Sequence, residues 1–270
     1  MRHWTLDDIP WDRFDPAKVH PDLLRAIKAA AMVEGNGTDY GTYLCKVFGD
    51  DPEFQDVARG WAIEEVQHGA ALGRWAEMAD PTFNYADSFK RFSEGYKIDL
   101  DVEQSIRGSR AGELVARCIV ETGTSTYYTA LMEAADEPVL KEICRNIAAD
   151  EFRHYKLFYT YMRRYMDRER LGVWGRVAVV LRRLRESEDD ELAFAYYCAN
   201  HPTETYLRKR FTREYARLAY PLYRRDHVER GIAMVLKAAG LNPTGWLNRF
   251  LSDLACRFLR FRAARLNASA

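Results

Sequence analysis

Glu-x-x-His occurs twice in this chain of 270 residues, each copy on a helix-periodic stretch with a lone glutamate upstream. The first set is Glu34, Glu65 and His68; the second is Glu121, Glu151 and His154, its members 87, 86 and 86 residues further on. Four carboxylates and two imidazoles in this order are the ligand set of a dinuclear metal centre inside a four-helix bundle. An unpaired carboxylate in a core costs several kcal/mol, so four together demand a compensating cation. Two divalent metals would bring the cluster near neutrality.

The punctuation of the chain supports that geometry. After an irregular start rich in Asp, Pro and Trp, the pattern is helical almost throughout, with sparse Gly and Pro. Helices are expected at about 21–48, 53–78, 110–134 and 139–168, with a partly helical crossover at 82–108. The midpoint between Glu34 and Glu65 falls at the Gly49-Asp50 break, and that between Glu121 and Glu151 at Asp136, beside Pro138. In an antiparallel pair, residues equidistant from the turn stand at one height, because both helices rise about 1.5 Å per residue. Each lone glutamate therefore faces its Glu-x-x-His across a hairpin.

The apolar stripes agree. They run Ile27, Ala31, Glu34, Thr38, Gly41 and Cys45; Trp61, Glu65, His68, Leu72 and Trp75; Leu114, Cys118, Glu121, Ser125, Tyr128 and Met132; and Ile147, Glu151, His154, Phe158 and Met162. Every proposed ligand occupies a core-facing position. The expected fold is thus all-α, a four-helix bundle over residues 1–168. Residues 169–270 form a helical extension packed on it, with helices at roughly 171–187, 190–200, 204–239 and 243–266. The last has an apolar face of Leu247, Phe250, Leu251, Leu254, Phe258 and Leu259 with arginines nearby. Sealing the bundle is its default role; a dimer contact or a membrane surface are the alternatives.

Composition excludes several classes. No apolar run approaches the roughly 20 residues that span a bilayer, and the N-terminus lacks the apolar core of a signal peptide. Five scattered cysteines without a C-x-x-C pair argue against disulfides, a zinc ribbon or a rubredoxin-type iron site, and a reducing cytoplasm is the expected location. The zero net charge hides an asymmetry: residues 1–160 hold 18 Lys+Arg against 28 Asp+Glu, residues 161–270 hold 22 against 12. The basic third could meet an acidic partner or a membrane surface, or simply be a solvated helix surface. Nothing beyond scattered arginines suggests nucleic acid.

Neighbours of the ligands carry two readings each. Asp150 and Glu64 directly precede a ligand glutamate; each is either a support for the far nitrogen of a ligand histidine or an exposed acid, the latter favoured for Glu64. Thr124, one turn after Glu121, either delivers protons to the centre or bonds its own helix backbone. Trp61, Trp75, Tyr127 and Tyr128 read as core packing, and His3, His20, His201 and His227 as surface or cap residues. Gly35, Gly37 and Gly41 are not a dinucleotide fingerprint, since the spacing is wrong and no strand precedes them.

At these residues the chain resembles the ferritin-like superfamily of di-iron carboxylate proteins, and within it the soluble acyl-carrier-protein desaturases. Those enzymes carry Trp-(x)-Ala-Glu-Glu-x-x-His-Gly on one helix, to which Trp61-Ala62-Ile63-Glu64-Glu65-Val66-Gln67-His68-Gly69 is similar. They carry Ile-Ala-Ala-Asp-Glu-x-Arg-His on another, matched by residues Ile147 to His154, and a threonine where Thr124 stands. The resemblance spans about residues 25–165. It implies an oxygen-activating oxidoreductase with two iron ions, acting on an apolar, fatty-acyl substrate by C–H abstraction, with desaturation or oxygenation as outcome. Glu65 and Glu151 would bridge the metals, His68 and His154 would each bind one, and Glu34 and Glu121 would be terminal. Carboxylate and imidazole suit manganese as well as iron. A homodimer is a further implication. With no flavin or nicotinamide motif, electrons would come from a separate donor such as a ferredoxin, and an acyl-carrier protein would present the substrate. Aldehyde-deformylating oxygenases and arylamine N-oxygenases use the same ligand set on other substrates. The competing readings are a ferritin- or rubrerythrin-like iron oxidase or peroxidase, disfavoured by the extra C-terminal third and the missing C-x-x-C, and a metal-free helical interaction protein.

Overall fold

Proline set directly after a side-chain cap starts three of the four longest-range helices of the bundle. His20 caps α1 (Pro21–Gly35), Asp51 caps α3 (Pro52–Ala79) and Glu137 caps α6 (Pro138–Glu169), each accepting from backbone N–H groups of the first turn. Proline at the first helical position lacks only an N–H that would have no partner there. Ser109 caps the remaining one, α5 (Arg110–Ala134). In this computed structural model residues 3–186 and 190–268 are described, and among them every regular element is helical and no strand occurs. Completing the chain are α2 (Gly37–Val47), α4 (Tyr85–Gly95), α7 (Val173–Glu186), α8 (Asp190–Asn200), α9 (Arg208–Ala219), α10 (Arg225–Ala239) and α11 (Trp246–Ala268), with short 3-10 turns before α1 and after α9.

α5 and α6 form one hairpin; α1 and α2 pack along α3 as the other, and α3 meets α6. Two apolar plugs fill the space between them. One gathers Ile27, Leu72, Trp75, Tyr128, Leu131, Leu140 and Ile147 at the end holding the 135–138 turn. The other gathers Leu44, Phe48, Phe54, Trp61, Leu114, Phe158 and Met162 at the opposite end. The polar layer of Glu34, Glu65, His68, Glu121, Glu151 and His154 lies in the gap, where every helix passes from one plug to the other. Residues beyond 168 extend both plugs: Tyr196 and Phe211 belong to the first, Val180 and Met234 to the second. All five cysteines are free thiols.

The expected single helix over 21–48 is two. Asn36, at φ −80° and ψ 6°, ends α1, and Gly37 begins α2. The reason is a close approach. A Cβ on Gly69 would lie 2.6 Å from the Gly35 nitrogen, and one on Gly37 would lie 2.5 Å from the Glu65 Cβ. The Gly-Asn-Gly step lets the backbone press against α3 at the height of the ligands. It also shifts the helical phase, so Thr38 of the expected stripe is exposed and Cys45 only half-buried, while Tyr43 and Leu44 turn inward. The expected helix over 204–239 is also broken, at Tyr220–Leu222, where Pro221 cannot donate to the ladder and the His227 ring accepts from Arg224 N to start α10. α11 does not seal the bundle with its apolar face, since Phe250, Leu254 and Phe258 are exposed.

Two interactions that fix the hairpins lead to measurable expectations. Glu137 is buried and accepts from the N–H groups of Asp15, Val139 and Leu140 and from Trp75 Nε1 at 2.7 Å. Glu137→Ala strands these donors and is expected to cost about 2–4 kcal/mol in urea unfolding. Lys28, buried on α1, reaches Asp80 at the end of α3 at 2.5 Å, and this bond holds the Asp80 carboxyl down at about 2. A carboxyl depressed by folding stabilises above its ordinary pKa and loses that contribution as pH falls. About 1–2 kcal/mol, allowing for the partial exposure of Asp80, should therefore disappear between about pH 4 and 2. Asp80→Asn should flatten that part of the stability–pH curve.

Candidate metal centre

Six buried side chains each present one atom that lacks any hydrogen-bond partner: Glu34 Oε2, Glu65 Oε1, His68 Nδ1, Glu121 Oε2, Glu151 Oε1 and His154 Nδ1. Glu34 comes from the last turn of α1, Glu65 and His68 from α3, Glu121 from α5, and Glu151 and His154 from α6. They form two groups of four, Glu34–Glu65–His68–Glu151 and Glu65–Glu121–Glu151–His154, within each of which the donor atoms lie within 4.8 Å of one another. Glu65 and Glu151 belong to both. His68 Nδ1 stands 3.5 Å from Glu34 Oε2 and 3.3 Å from Glu151 Oε1; His154 Nδ1 stands 3.1 Å from Glu65 Oε1 and 3.6 Å from Glu121 Oε2. Donors about 2.0–2.2 Å from one cation are separated by distances of this order. Buried polar atoms without partners are rare in folded proteins. Six converging ones fit a pair of cations, and these clusters could hold metal.

The second polar atom of Glu34, Glu151 and both histidines is held by a neighbouring side chain. His68 Nε2 meets Asp150 Oδ2 at 3.1 Å and His154 Nε2 meets Glu64 Oε2 at 2.6 Å. The pairing is diagonal: the acid preceding the ligand glutamate on α6 holds the histidine of α3, and the reverse. Arg153 ties the two acids together, donating to Glu64 Oε2 at 2.7 Å and to Asp150 Oδ1 at 2.8 Å. The Tyr128 hydroxyl donates to Glu34 Oε1 at 2.6 Å, and Thr124 Oγ1 donates to Glu151 Oε2. Thr124 Oγ1 also lies 3.3 Å from the Val120 and Glu121 carbonyls, the backbone contact expected of a threonine within a helix. These bonds leave each imidazole Nδ1 and one oxygen of Glu34 and of Glu151 facing the cavity. Donation of Nε2–H to a carboxylate keeps the Nδ1 lone pair free for a metal.

The electrostatics state the same need for positive charge. Burial, reinforced by neighbouring Glu151, pushes the Glu121 carboxyl up to about 8 and the Glu65 carboxyl well above the usual range. Burial would lift Glu151 too, but His68, His154 and Thr124 outweigh it and hold the carboxyl below its ordinary value. Burial disfavours charge on both imidazoles, yet the carboxylates around them raise His68 and His154 well above the normal histidine range. Outside the cavity, burial is outweighed by His154 and Arg153 at Glu64, held down at about 2, and by His68, Arg153 and Trp4 at Asp150, held far below the usual range. Protons thus gather where cations would sit.

Three elements of the surround differ from their sequence readings. Glu64, expected to be an exposed acid, is the partner of His154. His3, expected at the surface, contacts Asp150 at 2.8 Å. The adjoining Trp4 indole donates to Asp150 at 2.6 Å and lies parallel to the His68 ring, 5.9 Å between centroids. Gln67 secures this strap by bonding the Trp4 carbonyl. Tyr128 is the hydrogen-bond donor to Glu34 as well as a core residue. The symmetry between Glu64 and Asp150 was a usable sequence signal for the first; nothing local could pair Trp4 with a residue 146 positions away. His227 is the cap residue of α10, as one of the two expected roles has it, though buried, and its cluster with Glu133 and Asp226 is accounted for by that cap and by Arg224. No model of a known protein family matches the chain, and no curated protein matches it.

The shared membership of Glu65 and Glu151 separates the ligands by experiment. Glu65→Ala or Glu151→Ala should abolish retention of both metals, whereas Glu34→Ala or Glu121→Ala should leave about one per chain. Elemental analysis after anaerobic loading with ferrous or manganous ion reads the difference. Equal loss in all four variants contradicts the two-group arrangement.

Proposed function

We propose that this chain is a ferritin-like di-iron oxidoreductase that activates oxygen and acts on an apolar, fatty-acyl substrate by C–H abstraction, with desaturation or oxygenation as the result. The observation that carries the reading is the pair of four-atom clusters sharing Glu65 and Glu151 in a layer closed at both ends by apolar plugs. A redox-active metal pair, iron or with manganese at one or both positions, would supply the activation of dioxygen, the oxidant, that no side chain can provide.

The residues do the rest. Glu65 and Glu151 belong to both clusters and would be shared between the two positions, with His68 and Glu34 holding one and His154 and Glu121 the other. Asp150 and Glu64 hold the imidazoles in one tautomer and orientation. Thr124 keeps an exchangeable proton at Oγ1 against Glu151 Oε2, the oxygen opposite the one that faces the cavity. The plugs exclude water, which protects reactive species and strengthens every electrostatic interaction between them. An apolar groove of about 730 Å³ on the outer side of α2 and α3 supports the choice of substrate. Thr38, Gly41, Cys45, Ala62, Ile63 and Val66 line it, with Lys46 and Arg59 at its polar margin. No metal-position residue lines the groove, but Ala62 and Val66 flank Glu65, the most exposed of the six. Electrons would come from a separate donor such as a ferredoxin, with an acyl-carrier protein or other thioester presenting the chain. A homodimer is part of the proposal.

The test combines three measurements on protein loaded anaerobically with ferrous ion. About two metals per chain, oxygen uptake stimulated by a long-chain acyl thioester, and a product changed by two hydrogens or one oxygen in mass spectrometry are expected. Progressive iron accumulation beyond that stoichiometry, with no acyl dependence, would replace this reading by iron oxidation or storage. Failure to bind metal at all leaves a helical interaction protein.

A further inference from the structure

α11 is packed inside out. Its buried stripe is Asn248, Ser252 and Cys256, small or polar residues set against α10. The polar groups there are satisfied: Asn248 Nδ2 donates to the Glu229 and Pro243 carbonyls, and Ser252 Oγ donates to Asn248 Oδ1. The opposite stripe holds Trp246, Phe250, Leu254, Phe258 and Phe261, each at least half exposed. Their spacing keeps all five on one side along about 22 Å of helix. A helix that only covers a globular core buries its large apolar residues, so this face is made for contact with something else.

Charge identifies the occupant. α11 carries Arg249, Arg257, Arg260, Arg262 and Arg265 against one acid, Asp253, which Arg225 already pairs. By helical projection Arg257 falls within the apolar stripe, and Arg249 and Arg260 along its edge; all three are exposed. α7 buries Val180 and Arg176, while Trp174 is 84% exposed and Leu181 and Leu184 stand out beside Arg182, Arg183 and Arg185. A second copy docked through the same face would set arginine against arginine across a two-fold axis, at a cost. Anionic headgroups would neutralise these arginines while the aromatic side chains enter the acyl boundary, which is the pattern of a helix lying in a membrane interface. Among the described residues no helix is long and apolar enough to cross a bilayer, so the contact would be peripheral.

We propose that α11 seats this protein on the surface of an anionic bilayer. The inference rests on the packing and charge of α11 and is independent of the metal chemistry. It is tested with the 270-residue chain and vesicles of neutral phosphatidylcholine with or without phosphatidylglycerol. Flotation should show binding to the anionic vesicles, little to the neutral ones, and release by high salt. The exposed triple substitution Phe250→Ser, Leu254→Ser and Phe258→Ser should abolish it. The second variant, Arg249→Gln, Arg257→Gln and Arg260→Gln, keeps the apolar face and should weaken binding by roughly tenfold or more. Circular dichroism should be unchanged in both. Absence of binding at every phosphatidylglycerol content overturns the proposal, as does equal binding to neutral vesicles. A dimer in analytical ultracentrifugation that the serine variant splits, in a protein that ignores vesicles, assigns the face to a second copy instead.

Discussion

Mutual repulsion among Glu34, Glu65, Glu121 and Glu151 is the constraint around which the bundle is organised. Carboxylates in a buried layer cannot all stay ionised without positive charge among them. The fold answers in two ways. It aims one unpartnered atom of each at a common cavity with the two imidazoles, and it fastens the opposite ends of Glu34, Glu151 and both histidines to fixed partners. The apolar plugs above and below bury the layer, which raises both the penalty for leaving it uncompensated and the affinity for whatever compensates it. Helix packing and site chemistry are therefore one problem. The glycines at 35, 37 and 69 bring α1, α2 and α3 close enough for Glu34 and Glu65 to share the cavity.

The external support of that cavity is a small cross-braced frame. Each histidine leans on an acid from the opposite helix, and Arg153 joins the acids. Removing the guanidinium would disturb α3 and α6 together, since Glu64 and Asp150 would lose a common partner and repel one another. Orientation of the two imidazoles is thereby coupled across the bundle, a property that neither Glu-x-x-His segment has alone.

What could be read from the chain, and what could not, follows the range of the interactions involved. The helix pattern, the turns near Asp50 and Asp136, and the convergence of the six side chains all follow from 3.6-residue periodicity and equal heights about a turn. The break at Asn36 was hidden because Ile27, Ala31 and Glu34 continue so smoothly into Thr38 and Gly41; only the contact with Glu65 reveals why the helix must interrupt. Glu64 was misread because its sequence neighbourhood resembles a solvated face, while its partner lies on another helix. The last helix was misread for the opposite reason. Its apolar stripe is plain in the sequence, but hydrophobicity alone does not say whether such a stripe faces inward, and Asn248 and Ser252 hold the inward side through bonds to α10 and its approach.

The Trp4 strap has a bearing on how the molecule matures. Trp4 can find its partners on Asp150 and His68 only once α6 lies beside α3. Closing so long a loop is slow and comes late, since its entropy must be met before the contact gives any return. The wall that Trp4 forms beside His68 therefore closes over the carboxylate–imidazole layer after the four helices have assembled around it.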